Sequence, residues 1–255
     1  MGHISKAEYE TVSVTCDHCQ NECVFNRRED FDHPGPYGGE KVNCPYCQRE
    51  FWMNGDRLQE PYDAFVVSAR EHFNGKHYMQ TITNLGQAWE VFFAASIRSR
   101  YLYAPFFAVP EKYRNPDGLD RLNSLAASLD GKLGFTDFRK LRVVLVKSVL
   151  GNVAPATLDD ADAAIAKITM EKTNRKADQS MLVSYPGDPH IEQVLKGMMD
   201  LRVGDLRNAV LHRRAYRPLR VEAEDCLKEV ALLYQAKYRL NVGTFEEWDA
   251  GMCRG

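Results

Sequence analysis

Two pairs of cysteines near the N-terminus place the tightest constraint on how this chain can fold. Cys16 and Cys19 form one C-x-x-C unit, and Cys44 and Cys47 form a second, with 24 residues between the units. Each unit is typical of a knuckle that turns two thiolates toward one point, and four thiolates complete the tetrahedral coordination of Zn²⁺. The spacing therefore predicts a zinc ribbon. Its metal is expected to be structural, because four thiolates leave no open coordination position.

The residues around the cysteines favour the same interpretation. Short β-like runs occur at residues 10–15, 24–25, 41–43 and 50–53, with a turn-rich stretch at 32–39. So small a segment buries little apolar surface, and a bound metal would supply the missing stability. A redox C-x-x-C and chance cysteines are the alternatives. Cys23 is close enough to be a substitute ligand, but we interpret it as a ribbon residue, and His18 as an exposed one.

From about Pro61 onward the apolar periodicity is helical. The predicted helices cover residues 61–76, 77–102, 119–129, 135–150, 158–170, 189–217 and 222–240. Asp188 and Pro189 predict an N-cap with proline at the first helical position, Pro218 should close the helix before it, and Pro105 begins a proline-punctuated loop. Residues 181–184 carry the strongest later strand signal. The fold class is therefore mainly α, with a small β-rich zinc ribbon over residues 1–58 and an α-helical domain over residues 59–255.

Composition excludes several classes of function. The net charge is −2, so nucleic acid cannot be held by bulk positive charge and any contact needs a local patch. No apolar run reaches the length of a membrane span, and the first residues lack the apolar core of a signal peptide. Seven cysteines, four of them in C-x-x-C units, suit metal binding in a reducing cytoplasm better than disulfides. We expect a cytoplasmic protein.

Late in the helical region lies the run Arg207-Asn208-Ala209-Val210-Leu211-His212. An always-charged, fork-shaped donor beside a side chain that titrates near neutrality is what phosphodiester cleavage needs without a metal. The neighbourhood is basic. Candidate RNA-binding residues around the run are Arg202, Arg213, Arg214, Tyr216 and Arg217. The Tyr216 ring either stacks on a base or packs inside the protein.

Spacing alone is weak evidence, because Arg28 and His33 repeat it in the ribbon loop. Three features distinguish the later match. Asn208 directly follows the arginine, the run lies on a late helix with apolar residues before it, and further arginines follow His212.

At residues 206–212 the chain resembles the HEPN superfamily, whose motif is Arg-polar-x-x-x-His on a late helix of an α-bundle. Residues 84–95 resemble the long first helix of such bundles, in which an acidic residue recurs near the motif. The resemblance covers about residues 61–240 and is sharp only over the motif. It implies a HEPN-like helical bundle. Glu90 is then either a buried partner of Arg207 or part of the polar face of its helix.

The resemblance also implies a metal-independent endoribonuclease. The ribose 2′-OH would attack the adjacent phosphorus and leave a 2′,3′-cyclic phosphate. His212 would act as general base or acid, Arg207 would stabilise the charge of the transition state, and Asn208 would orient one of them or bind the phosphate.

Helical geometry adds a constraint on this site. In an unbroken helix, residues five apart are rotated by roughly 140° from each other. Either a break at Gly204-Asp205, with Asp205 as a new N-cap, lets Arg207 and His212 reach one phosphate, or the site is shared across a two-fold dimer. The resemblance favours the homodimer.

Three functions compete. The first is a dimeric ribonuclease of a toxin–antitoxin, antiviral defence or stress-response system, with an antitoxin or activating partner. The second is a non-catalytic HEPN-like module for dimerisation and for binding nucleic acid or protein. A zinc-dependent hydrolase is disfavoured, because the cysteines would saturate the metal.

Overall fold

The computed structural model describes residues 11–16, 18–26, 40–53, 61–108, 116–133, 138–168, 187–212, 216–243, 247–248, 251 and 253. These residues are mainly helical, with a small β region near the N-terminus. The predicted fold class, mainly α after a small β-rich segment, is thereby confirmed. Within this part of the chain, no helix is long and apolar enough to cross a bilayer.

The β region consists of two antiparallel hairpins. Strand β1 (Thr11–Thr15) pairs with β2 (Glu22–Asn26), and β3 (Glu40–Asn43) pairs with β4 (Glu50–Met53). All four strands were predicted, although β2 is longer than the two-residue run that indicated it. The hairpins have a small core of their own. It contains Val14, Cys16, Cys23, Val42, Cys44 and Phe51.

The helices follow in sequence order, with a π-helix at Ser99–Tyr103 between the second and the third. They are α1 (Pro61–Asn74), α2 (Tyr78–Arg98), α3 (Ala104–Ala108), α4 (Pro116–Leu133), α5 (Phe138–Leu150), α6 (Leu158–Ala166), α7 (Pro189–Met199), α8 (Val203–His212), α9 (Arg220–Lys228) and α10 (Val230–Arg239). The strand signal at residues 181–184 lies outside the described residues.

Helix α2 is the centre of the helical core and packs against α1, α5 and α8. Its apolar residues recur every three or four positions, which gives one continuous buried stripe. Trp89 meets Phe92 edge to face with ring centroids 5.6 Å apart, and Phe93 meets Phe138 of α5 at 5.3 Å. Burial of each such ring contributes about 1.5–3 kcal/mol to the free energy of folding. This aromatic cluster therefore holds the neighbouring helices against α2.

The chain after α2 differs from the prediction. A single helix was expected to reach residue 102 and a loop to begin at Pro105. Instead α2 ends at Arg98, the π-helix follows, and α3 contains Pro105 as its second residue. Proline is tolerated there because the first turn of a helix leaves its N–H groups unpaired in any case.

The predicted helix over residues 189–217 is also wrong as a single element. Its start is as expected, with Asp188 accepting from the His190 N–H and Pro189 at the first position. The helix stops at Met199, however, and α8 begins at Val203.

A buried arginine and a half-buried glutamate stabilise this break. The guanidinium of Arg142 on α5 donates to the carbonyls of Met198 and Met199 at 3.3 and 3.4 Å, where the end of α7 concentrates negative charge. The carboxylate of Glu229, between α9 and α10, accepts from the N–H groups of Arg202 at 2.7 Å and Val203 at 3.2 Å. The arginine thus satisfies carbonyl groups at the end of α7, and the glutamate satisfies backbone N–H groups at the start of α8. In a continuous helix these groups would have bonded to one another.

Glu229 also explains why the predicted helix over residues 222–240 divides into α9 and α10 around it. Burial raises the pKa of its carboxyl, although the two backbone N–H groups favour the charged form.

Candidate functional site

The two C-x-x-C units fold into the same knuckle. In each, the carbonyl of the first cysteine accepts from the N–H of the residue four positions later, Gln20 in one and Gln48 in the other. Both glutamines have a left-handed backbone, with φ of 59° and 60°. This turn reverses the chain into the next strand and leaves both thiols of each pair facing inward.

The four sulfur atoms come together as predicted. The Sγ atoms of Cys16, Cys19, Cys44 and Cys47 all lie within 4.8 Å of one another. Cys16 and Cys47 are 3.8 Å apart, and Cys19 and Cys44 are 3.6 Å apart. A tetrahedral zinc ion with Zn–S bonds near 2.3 Å requires sulfurs about 3.8 Å apart. These four residues can therefore hold a metal ion.

Two neighbouring residues stay outside this set. The ring of His18 is exposed, and its Nε2 lies 3.1 Å from the Glu50 carbonyl. Cys23 is fully buried on β2, with its Sγ 3.6 Å from that of Cys44 and 3.6 Å from the Asn21 carbonyl. Sequence reasoning did not give Cys23 this position against a ligand, although strand alternation turns it inward opposite Val14.

The surroundings shift the pKa values of the Cys23 and Cys44 thiols in opposite directions. Burial and the hydrogen bond with Cys44 raise the pKa of Cys23 to about 12. Burial also acts to raise the pKa of Cys44, but the N–H groups of Cys47 and Tyr46 outweigh it and lower this pKa to about 6. These surroundings favour the thiolate form at Cys44, whereas burial and the neighbouring sulfurs raise the pKa of Cys47, and the Cys23 S–H donates to the Asn21 carbonyl.

The motif helix α8 presents its residues in two directions. Arg207 faces α2, where its Nη1 lies 2.9 Å from Oε1 of Glu90, and the two side chains are only 16% and 12% exposed. Of the two alternatives for Glu90, pairing with Arg207 is the one found. Loss of one partner from such a pair typically costs about 3–5 kcal/mol, because the other charge remains buried.

Gly86 makes this approach possible. It lies one turn before Glu90 on α2, and a Cβ atom added there would sit 2.5 Å from Cδ of Arg207. The Arg207 side chain therefore crosses α2 over a position that has no side chain.

Asn208 and His212 are exposed on a different face of α8. They are four residues apart and share that face. The helix runs without interruption from Val203 to His212, so Arg207 and His212 do not share a face within one chain.

The break between the two helices lies before Val203 and not at Gly204-Asp205, which was one of the two alternatives for the site. Asp205 does not act as the N-cap, because its N–H donates to the Arg202 carbonyl inside the first turn. Its carboxylate pairs instead with Arg139 of α5 at 2.9 Å.

Acidic residues of α9 meet part of the expected basic patch. Arg202 pairs with Asp225 at 3.0 Å. The half-buried Tyr216 donates to Glu222 at 2.8 Å, and burial together with Glu222 raises the pKa of its hydroxyl to about 12. Arg217 is exposed and donates to the Tyr216 carbonyl. Arg213 and Arg214 lie outside the described residues, so their places in the patch stay predictions.

A feature that sequence reasoning missed is an exposed apolar set beside the motif. Leu211, Leu219 and Val221 are each more than half exposed, and Leu211 directly precedes His212. Exposed leucine is common, but one such side chain at the end of α8 and two at the start of α9 are candidate contact residues.

No protein-family model, curated protein or solved structure matches the chain. The resemblance to the HEPN superfamily therefore rests on residues of this sequence alone.

A paired substitution tests the ligand set. Cys44→Ala should lose stoichiometric zinc, because three thiolates no longer close the tetrahedron, and the hairpins should lose order with it. Cys23→Ala should keep the metal. Zinc content by mass spectrometry of the purified variants measures both. Equal loss of zinc in the two variants would show that Cys23 is itself a ligand.

Two glycine variants test the approach of α8 to α2. Gly86→Ala should lower the free energy of unfolding by about 1–3 kcal/mol, because the new methyl group meets Arg207. Gly131→Ala in α4 is the matched control. A Cβ there has open space, so the change should stabilise the protein by up to about 1 kcal/mol. Urea denaturation measures both, and an unchanged stability for Gly86→Ala would contradict the packing described.

Proposed function

We propose that this protein is a metal-independent endoribonuclease of the HEPN kind. The observation that carries the proposal is the arrangement of α8, in which Arg207 is anchored to Glu90 while Asn208 and His212 face solvent one turn apart. An anchored cation and an accessible imidazole, once brought to one phosphate, are suited to phosphodiester cleavage.

The reaction would need only groups of this chain. His212 accepts the proton of a ribose 2′-OH, and O2′ forms a bond to the adjacent phosphorus. The bond from phosphorus to O5′ then breaks, and the leaving oxygen takes a proton from solvent. The products are a 2′,3′-cyclic phosphate and a 5′-hydroxyl. Asn208 donates a hydrogen bond to the phosphate, and Arg207 stabilises its added negative charge.

Anchoring limits how Arg207 can act. Its Nη1 lies 2.9 Å from Oε1 of Glu90, and its Nε is buried without an acceptor among the described residues. We assign the contact with phosphate to Nη2. Glu90 is then a positioning residue, because it fixes the guanidinium without touching the substrate.

The rotation between Arg207 and His212 is the reason to propose a homodimer. Two copies related by a two-fold axis would place Arg207 of one subunit beside His212 of the partner subunit, which removes the angular conflict within one helix. The exposed side chains of Leu211, Leu219 and Val221 offer apolar surface for such a contact.

The cysteine cluster has a supporting role in this proposal. Its metal is Zn²⁺, held by Cys16, Cys19, Cys44 and Cys47 to stabilise the two hairpins. Reduced thiols of this kind suit a cytoplasmic protein. Arg202, Arg217 and the two arginines at 213 and 214 would supply contacts to RNA, and an antitoxin or activating partner would control the nuclease in a defence or stress response.

A second candidate is a non-catalytic module that dimerises and binds nucleic acid or protein. The ion pair between Arg207 and Glu90 favours it, because this pair gives the motif arginine a purely structural reason to be present. The acidic partners of Arg202 and Tyr216 also reduce the charge available to RNA.

Cleavage of RNA in EDTA, with zinc content checked afterwards, separates the two candidates. The wild type should release 2′,3′-cyclic phosphate ends, and His212→Ala should reduce the rate by about 10²–10⁴-fold, because the general base is lost. His190→Ala is the control, since that histidine is also exposed but lies at the start of α7. For the arginine, Arg207→Lys is preferable to alanine because it keeps a cation beside Glu90.

RNA binding without turnover by the wild type would support the second candidate. Equal cleavage by wild type and His212→Ala would contradict the nuclease mechanism.

A further inference from the structure

A cavity of about 420 Å³ lies away from α8, between the π-helix, α5 and α6. Most of its lining is apolar, from Val144, Val153, Ala164 and Ile168. Its size and lining are those of a site for a small organic molecule. None of these residues has a part in the proposed nuclease.

Tyr101 gives this cavity a polar group that could bind a ligand. Its side chain lines the cavity and is only 4% exposed. The structure gives its hydroxyl no hydrogen-bond partner among the residues it describes. The hydroxyl oxygen borders the cavity and is not sealed in the core, so a ligand atom in the cavity can accept its proton.

The backbone explains how Tyr101 arrives there. It is the middle residue of the π-helix, whose wider turn shifts the side chains that follow α2. Such segments are frequent at functional sites. Burial raises the pKa of the hydroxyl, which keeps it a hydrogen-bond donor at neutral pH.

Charge on the lining favours an anion. Lys147 and Lys167 contribute two ammonium groups, and Asp160 contributes one carboxylate. That carboxylate already accepts from the backbone N–H of Thr157 at 3.1 Å and from its Oγ1 at 2.9 Å, as the cap of α6. The balance of the lining is therefore positive.

We propose that this cavity binds a small apolar carboxylic acid. The apolar body fills the space between α5 and α6, one carboxylate oxygen accepts from Tyr101, and the negative charge faces Lys167. The site is independent of the nuclease proposal, since it shares no residue with it.

Calorimetric titration of the full, zinc-loaded chain with octanoate and with octanamide tests the site. The two probes have the same chain and both offer an acceptor oxygen, but only octanoate is charged. Tyr101→Phe should weaken both by about tenfold, because the donor is lost. Lys167→Met should weaken octanoate alone by about two- to fivefold, because the lysine is exposed.

Three controls make the result specific. Tyr103→Phe changes a buried tyrosine of the same π-helix that does not line the cavity, and Lys196→Met changes a lysine of α7; neither should alter binding. Ala164→Phe fills the cavity and should abolish binding of both probes while thermal unfolding shows a folded protein. Absence of saturable octanoate binding at millimolar concentration, or binding that is insensitive to Tyr101→Phe and Ala164→Phe, would overturn the proposal.

Discussion

The ion pair between Arg207 and Glu90 is the interaction on which the placement of the motif helix depends. It joins α8 to α2, the helix at the centre of the helical core, and it crosses α2 where Gly86 leaves room. A buried pair of this kind contributes little net stability, since desolvation offsets much of the attraction. Its effect is on orientation. With Arg207 turned inward, Asn208 and His212 are necessarily turned outward, because they lie on another face of the same helix.

The start of α8 is fixed by charges from elsewhere in the chain. Arg142 completes the end of α7, and Glu229 completes the beginning of α8, so the short link between them is held from both sides. The position of His212 therefore depends on residues from α2, α5 and the junction of α9 and α10. A site that binds a phosphate for cleavage would need its side chains held in a fixed position in this way.

The local parts of this structure were predictable and the long-range parts were not. The C-x-x-C units predicted the four cysteines that can hold a metal ion, and Asp188 with Pro189 predicted the start of α7, because each signal lies within a few residues. The break before Val203 depends on Arg142 and Glu229, which are distant in sequence, and Asp200 is the only local turn-forming residue between the two helices. The pair of Arg207 with Glu90 was one of two alternatives drawn from the resemblance, and nothing in the sequence decided between them, because Glu90 and Gly86 lie more than a hundred residues earlier. Tyr101 could not be anticipated because it takes its place from a π-helix that has no sequence signature.

Mixing two variants, each expected to lose one residue that the reaction needs, is the most direct measurement of the central claim, that one site combines Arg207 of one subunit with His212 of the partner subunit. Arg207→Lys and His212→Ala proteins would be unfolded together, refolded, and assayed for RNA cleavage beside each variant alone. Random reassembly of equal amounts makes about half of the dimers mixed, and in each mixed dimer one of the two sites has both native residues. About a quarter of wild-type activity should therefore return. A mixture as inactive as its components, from a wild type that cleaves RNA, would contradict the shared site.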